Sequence, residues 1–204
     1  MRDENASYFD KSCKQHKDCG WAAALWCSEE DQLGRFALLA KMLSGPFPPE
    51  NSYILDVGCG QGDLYGFLRN RGIKNNYIGI DVSSEMIGYA KKKYPDGDFI
   101  LGDFSTFDFE NLKFGYVMCN GMFSVKINNQ LDVVKNCIYK MYDLSENALS
   151  INFLSDEAPD EQKFEEYYFY YSPIDILKCC FELTTDVKLD HSYCDHEFMI
   201  TIYK

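Results

Sequence analysis

The sequence predicts an α/β protein with a doubly wound, mostly parallel sheet of seven strands that ends in a C-terminal antiparallel hairpin. Helix-like and strand-like segments alternate five times before two last strand-like segments at 184–189 and 198–203. This alternation is typical of a parallel sheet covered by helices on both faces. A glycine-rich turn at 58–62 follows the first strand-like run, and Asp81 ends the second. Because ligands of such sheets bind at the carboxyl ends of the strands, both features predict a binding site.

The other elements follow from capping residues and hydrophobic period. Ser28, followed by three acidic residues, is typical of a helix start, and Gly45-Pro46 is typical of a helix end. The segment 129–144 predicts a helix with Leu131, Val134, Ile138 and Met141 on one face. Residues 105–113 are too few for a long crossover helix and predict a loop. Further strands are predicted at 54–57, 77–80, 99–101, 114–118 and 148–154, and further helices after 63, from Ser83 or Ser84, and from 172 to about 181.

The glycine-rich turn lies within residues 54–63, which read ILDVGCGQGD. Glycine can adopt positive φ and lets a ligand touch the main chain, and the helix that follows favours negative charge at its start. A dinucleotide-binding turn would read G-x-G-x-x-G, whereas here the third glycine comes one residue early and Asp63 follows it. This difference argues against an NAD-dependent oxidoreductase.

The segment 54–63 resembles the first motif of class I S-adenosylmethionine-dependent methyltransferases of the small-molecule type, and IGIDVSSEMI at 78–87 resembles their second. The resemblance implies the Rossmann-like methyltransferase fold for residues 28–204 as a single domain, with residues 1–27 as an N-terminal cap. It implies S-adenosyl-L-methionine as cofactor and S-adenosyl-L-homocysteine as product. Asp81 stands 21 positions after Gly60, the interval at which nucleotide folds place a carboxylate for the ribose hydroxyls.

The resemblance also implies which residues contact the cofactor. The glycine loop packs against the methionine part with Asp63 near the ammonium, Asp81 takes the ribose hydroxyls, and the segment after the fourth strand lies beside the sulfonium. Met86 either flanks the adenine or belongs to the core stripe of its helix, and Arg35 is either a surface charge or a partner of the cofactor carboxylate. The complete predicted set is Arg35, Gly58, Cys59, Gly60, Gly62, Asp63, Asp81, Val82, Met86, Gly102, Asp103, Phe104, Cys119, Asn120 and Gly121.

The implied reaction is an in-line methyl transfer to a nitrogen or oxygen atom of a small molecule. A base is needed only for a protonated acceptor; candidates are Tyr8, His16, His191, His196 and Glu197, with His191 preferred because its hairpin turn faces the strand ends. The predicted substrate residues are Tyr8, Trp21, Phe123, Tyr170 and His191. An amine held by aromatic rings and an oxygen nucleophile on a small acid or phenol both stay open. The alternative function is a non-catalytic, regulatory binder of S-adenosylmethionine or adenosylhomocysteine.

The aromatic run at 167–171 has two interpretations. Ordinary strand propensity explains it, but it also lies where the resembled fold builds its substrate cover.

Composition limits the partners. The formal charge is −12, with 32 acids against 20 bases, and the only basic run is at 91–93, so a nucleic acid partner is not expected. The N-terminus lacks a signal-peptide pattern and no apolar run could cross a membrane, which predicts a cytoplasmic protein. We expect it to be a monomer or a homodimer. Nine cysteines without a C-x-x-C pair predict reduced thiols. Two Cys/His trios lack a fourth ligand at recognised spacing, so no metal is predicted.

Overall fold

The computed structural model describes residues 2–16, 19–43, 52–163 and 167–204, with side chains from residue 6 onward. Helices and strands alternate along most of it. The helices are α1 (Arg2–Gln15), α2 (Gly20–Ala23), α3 (Glu29–Ala40), α4 (Asp63–Asn70), α5 (Ser84–Lys93), α6 (Gln130–Leu144) and α7 (Pro173–Phe181). The strands are β1 (Tyr53–Val57), β2 (Asn76–Asp81), β3 (Asp98–Leu101), β4 (Phe114–Cys119), β5 (Ser145–Leu154), β6 (Val187–Asp190) and β7 (Glu197–Tyr203). Short 3₁₀ helices lie at Lys41–Leu43 and Asp160–Gln162.

The seven strands form one sheet in the order β3-β2-β1-β4-β5-β7-β6. Strands β1 to β5 pair in parallel, and β7 pairs antiparallel with both β5 and β6. Val57 is paired with Ile80 on one side and with Cys119 on the other. The loops after β1, β2 and β4 therefore start at the same level, at one edge of the sheet. The predicted fold class is confirmed.

The sheet separates two hydrophobic clusters. Successive strand residues point to opposite faces, so Leu55 and Val57 belong to the cluster that α6 and α7 cover, whereas Ile54 belongs to the cluster beneath α3, α4 and α5. A third, small cluster joins the N-terminal segment to α5 through Cys13, Ala23 and Met86. Helices on both faces account for the apolar character of the parallel strands.

Two predicted caps are confirmed by hydrogen bonds. Ser28 Oγ accepts from Asp31 N at 3.1 Å and starts α3. Ser83, and not Ser84, caps α5, because its Oγ accepts from Met86 N at 3.1 Å. Within the described residues, 105–113 contains turns and no helix, as predicted. The predicted helix end at Gly45-Pro46 falls outside the described residues.

Two expectations about the elements are corrected, and the N-terminal segment contains two helices for which no prediction was made. Leu131 is 61% exposed, because α6 buries Gln130 instead. The run at 167–171 is not a strand: Tyr168 and Tyr171 each make only an isolated bridge, to Val125 and Ser155. The N-terminal segment, which has no clear hydrophobic period, contains α1 and α2. In a polar helix the apolar stripe that marks a helix in a sequence is missing.

The nine cysteines all lie in the described ranges and are free thiols. None of the described helices is long and apolar enough to cross a bilayer.

Candidate active site

The glycine loop after β1 is held against the end of β2 by main-chain contacts. Gly58 N and Cys59 N donate to Ile80 O at 2.9 and 3.2 Å. Gly60 N donates to Asp81 Oδ2 at 2.9 Å, and Ser83 N donates to Asp81 Oδ1 at 2.8 Å. The carboxylate at the tip of β2 therefore takes one amide from each of two loops. This pairing fixes the distance between the loops.

The loop needs glycine at Gly58 and Gly60 because both have a positive φ, and at Gly58 also because a neighbouring side chain lies close. Gly58 has φ +77°, and a Cβ there would lie 3.1 Å from Met122 Cβ. Gly60 has φ +53°, and a Cβ there would meet nothing within 4 Å. Positive φ strains any residue with a side chain. The loop thus presents bare backbone to the space in front of it.

That space is a cavity of about 150 Å³ at the carboxyl ends of β1, β2, β3 and β4. We call it the glycine-loop cavity. Eleven of the sequence-predicted site residues line it: Gly58, Gly60, Asp81, Val82, Met86, Gly102, Asp103, Phe104, Asn120, Gly121 and Phe123. Met86 is also 2% exposed and packs with Cys13 and Ala23, so both of its predicted roles fit its position.

Two polar groups in the glycine-loop cavity are electrostatically unusual. Burial raises the pKa of Asp81 above its ordinary value, and the amides of Ser83 and Gly60 oppose this by stabilising the charged form. Asn120 Oδ1 is buried, and no described residue donates a hydrogen bond to it. A buried acceptor without a donor is costly, so both groups favour a ligand that carries hydrogen-bond donors.

Four predicted cofactor residues lie behind or beside the cavity wall. Asp63 accepts from Lys93 Nζ at 2.7 Å and from Gln32 Nε2 at 3.4 Å, so its carboxylate already has two partners from α5 and α3. Cys59 and Cys119 are buried, and burial raises the pKa of both thiols. Gly62 starts α4, with Phe99 where its Cβ would be. These residues shape the loop from behind.

A second cavity, of about 310 Å³, continues from the first. The two cavities share Phe9, Ala24, Trp26, Gly121 and Val125. We call the second one the outer cavity. Its further wall includes Asp31 and Arg35 of α3, Tyr168 and Tyr170 from the aromatic run, and Gln162, His196 and Glu197. A molecule in the outer cavity would thus face the glycine-loop cavity across Trp26 and Gly121.

Arg35 belongs to a buried polar network beside the outer cavity. It is 5% exposed, so the surface-charge interpretation is wrong. Its Nε donates to Glu197 Oε2 at 2.6 Å, its Nη1 donates to Asp31 O at 2.8 Å, and its guanidinium lies 4.9 Å from the Trp26 ring centroid. Burial alone lowers the pKa of Arg35, but the Glu197 carboxylate raises it above the ordinary value. The network continues through Asn152, whose Nδ2 donates to Glu197 Oε2 and whose Oδ1 accepts from Gly121 N at 2.7 Å.

The predicted substrate residues are only partly brought together. Phe123 lines the glycine-loop cavity and Tyr170 the outer cavity. Tyr8 packs on Phe9 and Tyr167, and neither Tyr8 nor Trp21 is among the described residues that line these cavities.

His191 is also placed away from the two cavities. Its Nε2 lies 2.8 Å from Ser155 Oγ, and its ring stacks on Phe198 at 6.2 Å between centroids. The hairpin turns its other histidine, His196, to the outer cavity instead. The preference for His191 as base therefore does not fit the geometry.

His196 has polar neighbours at both ring nitrogens: Cys194 Sγ lies 3.5 Å from Nε2, and Nδ1 has two contacts. Its Nδ1 lies 3.0 Å from Gln162 Oε1 and 3.2 Å from Cys194 Sγ. The contact with Cys194 raises the pKa of His196. Burial raises the pKa of the Cys194 thiol, but the contacts with His196 outweigh burial, so the pKa of Cys194 is lowered overall. Among the described residues no group of three or more His, Cys, Asp or Glu side chains could hold a metal ion.

Sequence reasoning missed Phe9, Trp26 and Gln130, which all line the glycine-loop cavity. Phe9 and Trp26 come from the segment without a hydrophobic period. Gln130 lies at the start of α6, where its Oε1 accepts from Ile127 N and its Nε2 donates to Phe123 O. A polar residue at that position gives no signal in a hydrophobic pattern.

Comparisons with known proteins agree with this geometry. A methyltransferase-domain family model matches residues 54–151. A Mycobacterium tuberculosis protein that is named as a methyltransferase is 30% identical over 160 residues, which cover 74% of this chain and 92% of that protein. Trans-aconitate 2-methyltransferase of Variovorax paradoxus is 35% identical over 88 residues, 42% of this chain but only 32% of the enzyme. Magnesium protoporphyrin IX methyltransferase of Synechocystis PCC 6803, solved with bound S-adenosylhomocysteine, superposes with a TM-score of 0.73 at 14% identity, over 100% of this chain and 99% of that one.

The fold, with its cavity at the carboxyl ends of the parallel strands, is that of the class I methyltransferases. The chain belongs to the S-adenosylmethionine-dependent methyltransferase family. Members of this family are enzymes that take their methyl group from S-adenosylmethionine, so the predicted family and enzyme class are confirmed.

Proposed function

We propose that the protein transfers a methyl group from S-adenosylmethionine, bound in the glycine-loop cavity, to a nitrogen or oxygen atom of a small molecule in the outer cavity. The observation that carries this proposal is the Asp81 carboxylate, held by Gly60 N at 2.9 Å and by Ser83 N at 2.8 Å where two loops meet. One cavity opens in front of it and continues directly into another. A non-catalytic binder would need only the first.

The residues present fit the cofactor. Asp81 supplies carboxylate oxygens for the ribose hydroxyls, as carboxylates at this position do in nucleotide folds. Val82, Met86 and Phe104 give an apolar wall suited to a flat base, and Asp103 supplies an acceptor for its amino group. The unpartnered Asn120 Oδ1 supplies a further acceptor. The bare backbone of Gly58 and Gly60 leaves room for the amino-acid tail.

The bound sulfonium supplies an electrophilic methyl group and a good leaving group. The chain itself contributes alignment and the exclusion of water. Holding two reactants in attack geometry can remove up to about 7–11 kcal/mol of a barrier. Phe9 and Trp26 stand on the border of both cavities and shield the junction where the two reactants meet. Residues 2–27 act in this proposal as a cap on the methyltransferase domain at 28–204.

The proposed acceptor is small and is not a nucleic acid. The chain carries 32 acids against 20 bases, and phosphate backbones are bound through clustered Lys and Arg. Strand ends and the cap line both cavities, and the aromatic run lines the outer one. These features support a compact acceptor.

Isothermal titration with S-adenosylhomocysteine tests cofactor binding. Asp81→Asn keeps the shape of the side chain but removes its charge, and hydrogen bonds to charged groups contribute about 1.5–3 kcal/mol each. We expect the affinity to fall at least 10-fold. Asp98→Asn, at the exposed start of β3, is the matched control and should bind like wild type. Equal affinities of Asp81→Asn and wild type would contradict the proposal.

Transfer is tested with methyl-labelled S-adenosylmethionine and a panel of amines, phenols and carboxylic acids. We expect label in one of these classes, and labelling at least 10-fold slower with Asp81→Asn at a cofactor concentration below the wild-type Kd. A protein that binds the cofactor yet labels no member of the panel would support the regulatory alternative.

A further inference from the structure

The outer cavity contains a buried carboxylate with one uncommitted oxygen. Glu197 is 4% exposed. Its Oε2 accepts from Arg35 Nε at 2.6 Å and from Asn152 Nδ2 at 3.2 Å. Its Oε1 accepts no hydrogen bond from any side chain or amide in the described ranges, and the imidazole Nε2 of His196 lies 3.9 Å away. Because Glu197 lines the outer cavity, this oxygen can accept a hydrogen bond from a ligand there.

The single guanidinium of this cavity is already engaged. Arg35 directs Nε to Glu197, and its Nη1 bonds Asp31 O at 2.8 Å while lying 3.4 Å from Asp31 Oδ1. Two carboxylates, Asp31 and Glu197, therefore share one cation, which leaves the wall with a net negative charge. Among the described residues that line the outer cavity Arg35 is the only Lys or Arg, so a carboxylate or phosphate acceptor would have to compete with Asp31 and Glu197 for it.

Four aromatic rings also line the outer cavity. Phe9 and Trp26 are shared with the glycine-loop cavity, and Tyr168 and Tyr170 line the outer cavity alone. Cations are attracted to the faces of aromatic rings, most strongly where water is excluded. Rings and an unpaired carboxylate oxygen together are suited to a protonated amine.

We propose that the methyl acceptor is an amine that enters the outer cavity as its ammonium ion, with an N–H directed to Glu197 Oε1. This inference rests on the proposed function and specifies its acceptor. Among the two open classes of acceptor atom, it selects nitrogen.

An ammonium ion must lose a proton before its nitrogen can attack, and His196 lies in the same cavity to take it. In the tautomer in which His196 Nδ1 donates to Gln162 Oε1 at 3.0 Å, the lone pair lies on Nε2, which is 3.5 Å from Cys194 Sγ. The proton passes from the ammonium to Nε2. The amine lone pair then forms the N–C bond as the C–S bond breaks and its electron pair stays on sulfur. The groups facing His196 are Cys194, Glu197, Gln162 and, further away, Arg35.

The decisive experiment uses matched acceptors. The full-length protein is incubated with methyl-labelled S-adenosylmethionine and sets of compounds that share one carbon skeleton, each as primary amine, alcohol and carboxylate, beginning with 2-phenylethylamine, 2-phenylethanol and phenylacetate. We expect label on the amines at rates at least 100-fold above those of their partners. Preferential labelling of alcohols or carboxylates overturns the proposal, and so does a panel in which no amine is labelled.

Variants then locate the specificity. Glu197→Gln should lower kcat/KM for the amine at least 10-fold, while the Kd for S-adenosylhomocysteine stays within twofold of wild type. Asp31→Asn, whose side chain is partly exposed, should lower it less and keeps the test valid if Glu197→Gln does not fold. Glu146→Gln, an exposed acid on β5, is the matched control. An unchanged kcat/KM in both Glu197→Gln and Asp31→Asn contradicts the amine proposal. A wild-type protein that does not bind S-adenosylhomocysteine would instead contradict the proposed function.

Discussion

The glycine loop and the N-terminal segment stand on opposite sides of the same cavity and are held in place by different means. Gly58, Cys59 and Gly60 are fixed by amide contacts to the end of β2, which is itself paired on both sides within the sheet. The N-terminal segment, residues 2–27, lies over the cavity through a few side chains. The cavity thus has one wall, the glycine loop, that is fixed by the sheet, and another wall, the N-terminal segment, that is held by only a few contacts.

The most informative of those contacts is made by Asp10. Its Oδ1 accepts from Ser83 Oγ at 2.5 Å and from Glu85 N at 3.3 Å, at the start of α5. Ser12 Oγ adds a bond to Ala23 O at 2.9 Å, and Gln61 Nε2 one to Cys13 Sγ at 3.3 Å. Asp10 therefore adds a carboxylate at a helix N-terminus, where negative charge is favourable.

The largest effect is expected when the sheet-held wall is broken. Gly58→Val places a β-branched side chain at φ +77°, against Met122. Because both the strain and the clash lie in the loop, we expect S-adenosylhomocysteine binding and methyl transfer to fall more than 100-fold. Titration calorimetry measures the affinity, and circular dichroism checks the fold. Gly88→Ala, where a Cβ meets nothing within 4 Å, is the control, and a Gly58→Val protein that binds normally would contradict our account of the loop.

A smaller effect is expected when the N-terminal segment is loosened. Asp10→Ala removes two hydrogen bonds to a charged acceptor, a loss of about 1.5–3 kcal/mol for the strongest of them. We expect about 10-fold faster proteolytic cleavage within residues 2–27, a higher KM for the cofactor and a Tm lower by at least about 3 °C. Limited proteolysis and steady-state kinetics measure these quantities.

The control for Asp10 is the neighbouring exposed ion pair. Lys14 and Glu85 lie 3.4 Å apart with largely exposed side chains, and such pairs contribute little. Lys14→Ala should therefore behave like wild type. Equal cleavage rates for Asp10→Ala and wild type would show that the segment is held by something other than Asp10.

The sheet itself carries a pH-sensitive group. Asp56 in β1 is 2% exposed, and burial raises its pKa to about 7, although the hydrogen bond from Tyr77 opposes the shift. The folded-state pKa of Asp56 lies above its unfolded value of about 3.9. The stability that protonated Asp56 contributes is therefore complete below a pH of about 3.9 and is lost as the pH rises through about 7. Relative to wild type, Asp56→Asn should gain Tm progressively between pH 4 and 8. A constant Tm difference across that range, measured calorimetrically, would contradict a raised pKa.

The smallest effect is expected on the outer surface. Leu131 is 61% exposed at the start of α6, so Leu131→Lys should change the free energy of unfolding by less than about 0.5 kcal/mol. Ile138→Ala on the buried face of the same helix should cost about 2–5 kcal/mol. Urea unfolding measures the free energy of unfolding of the two variants. A large decrease with Leu131→Lys would show that Leu131 is packed in the core.

The same comparison explains which features the sequence could predict. The loop at 58–62 was predictable because its backbone geometry requires glycine at particular positions. Asp81 was predictable because nucleotide folds place a carboxylate at the end of the second strand, at a typical distance along the chain from the glycine loop. Asp63 was assigned to the ligand from its position in the motif, yet Lys93, 30 residues away, holds its carboxylate. Pairings between distant elements leave no local pattern.

Arg35 and His191 show the same limit. Arg35 lies off the apolar stripe of α3 and is buried nonetheless, because Glu197, 162 residues away, neutralises it. His191 and His196 belong to one turn, and the sequence alone does not indicate which of them faces a cavity. Phe9 and Trp26 reach the site through the packing of a polar helix and a short turn, and neither has a periodicity to read.

Ser83 has a consequence for the order in which molecules come and go. Its amide donates to Asp81 and its hydroxyl donates to Asp10, so a single residue connects the carboxylate proposed to bind the ribose with α1. If the nucleoside binds as proposed, the contact between Ser83 and Asp10 also restrains its departure. Asp10→Ala should then release S-adenosylhomocysteine faster than wild type.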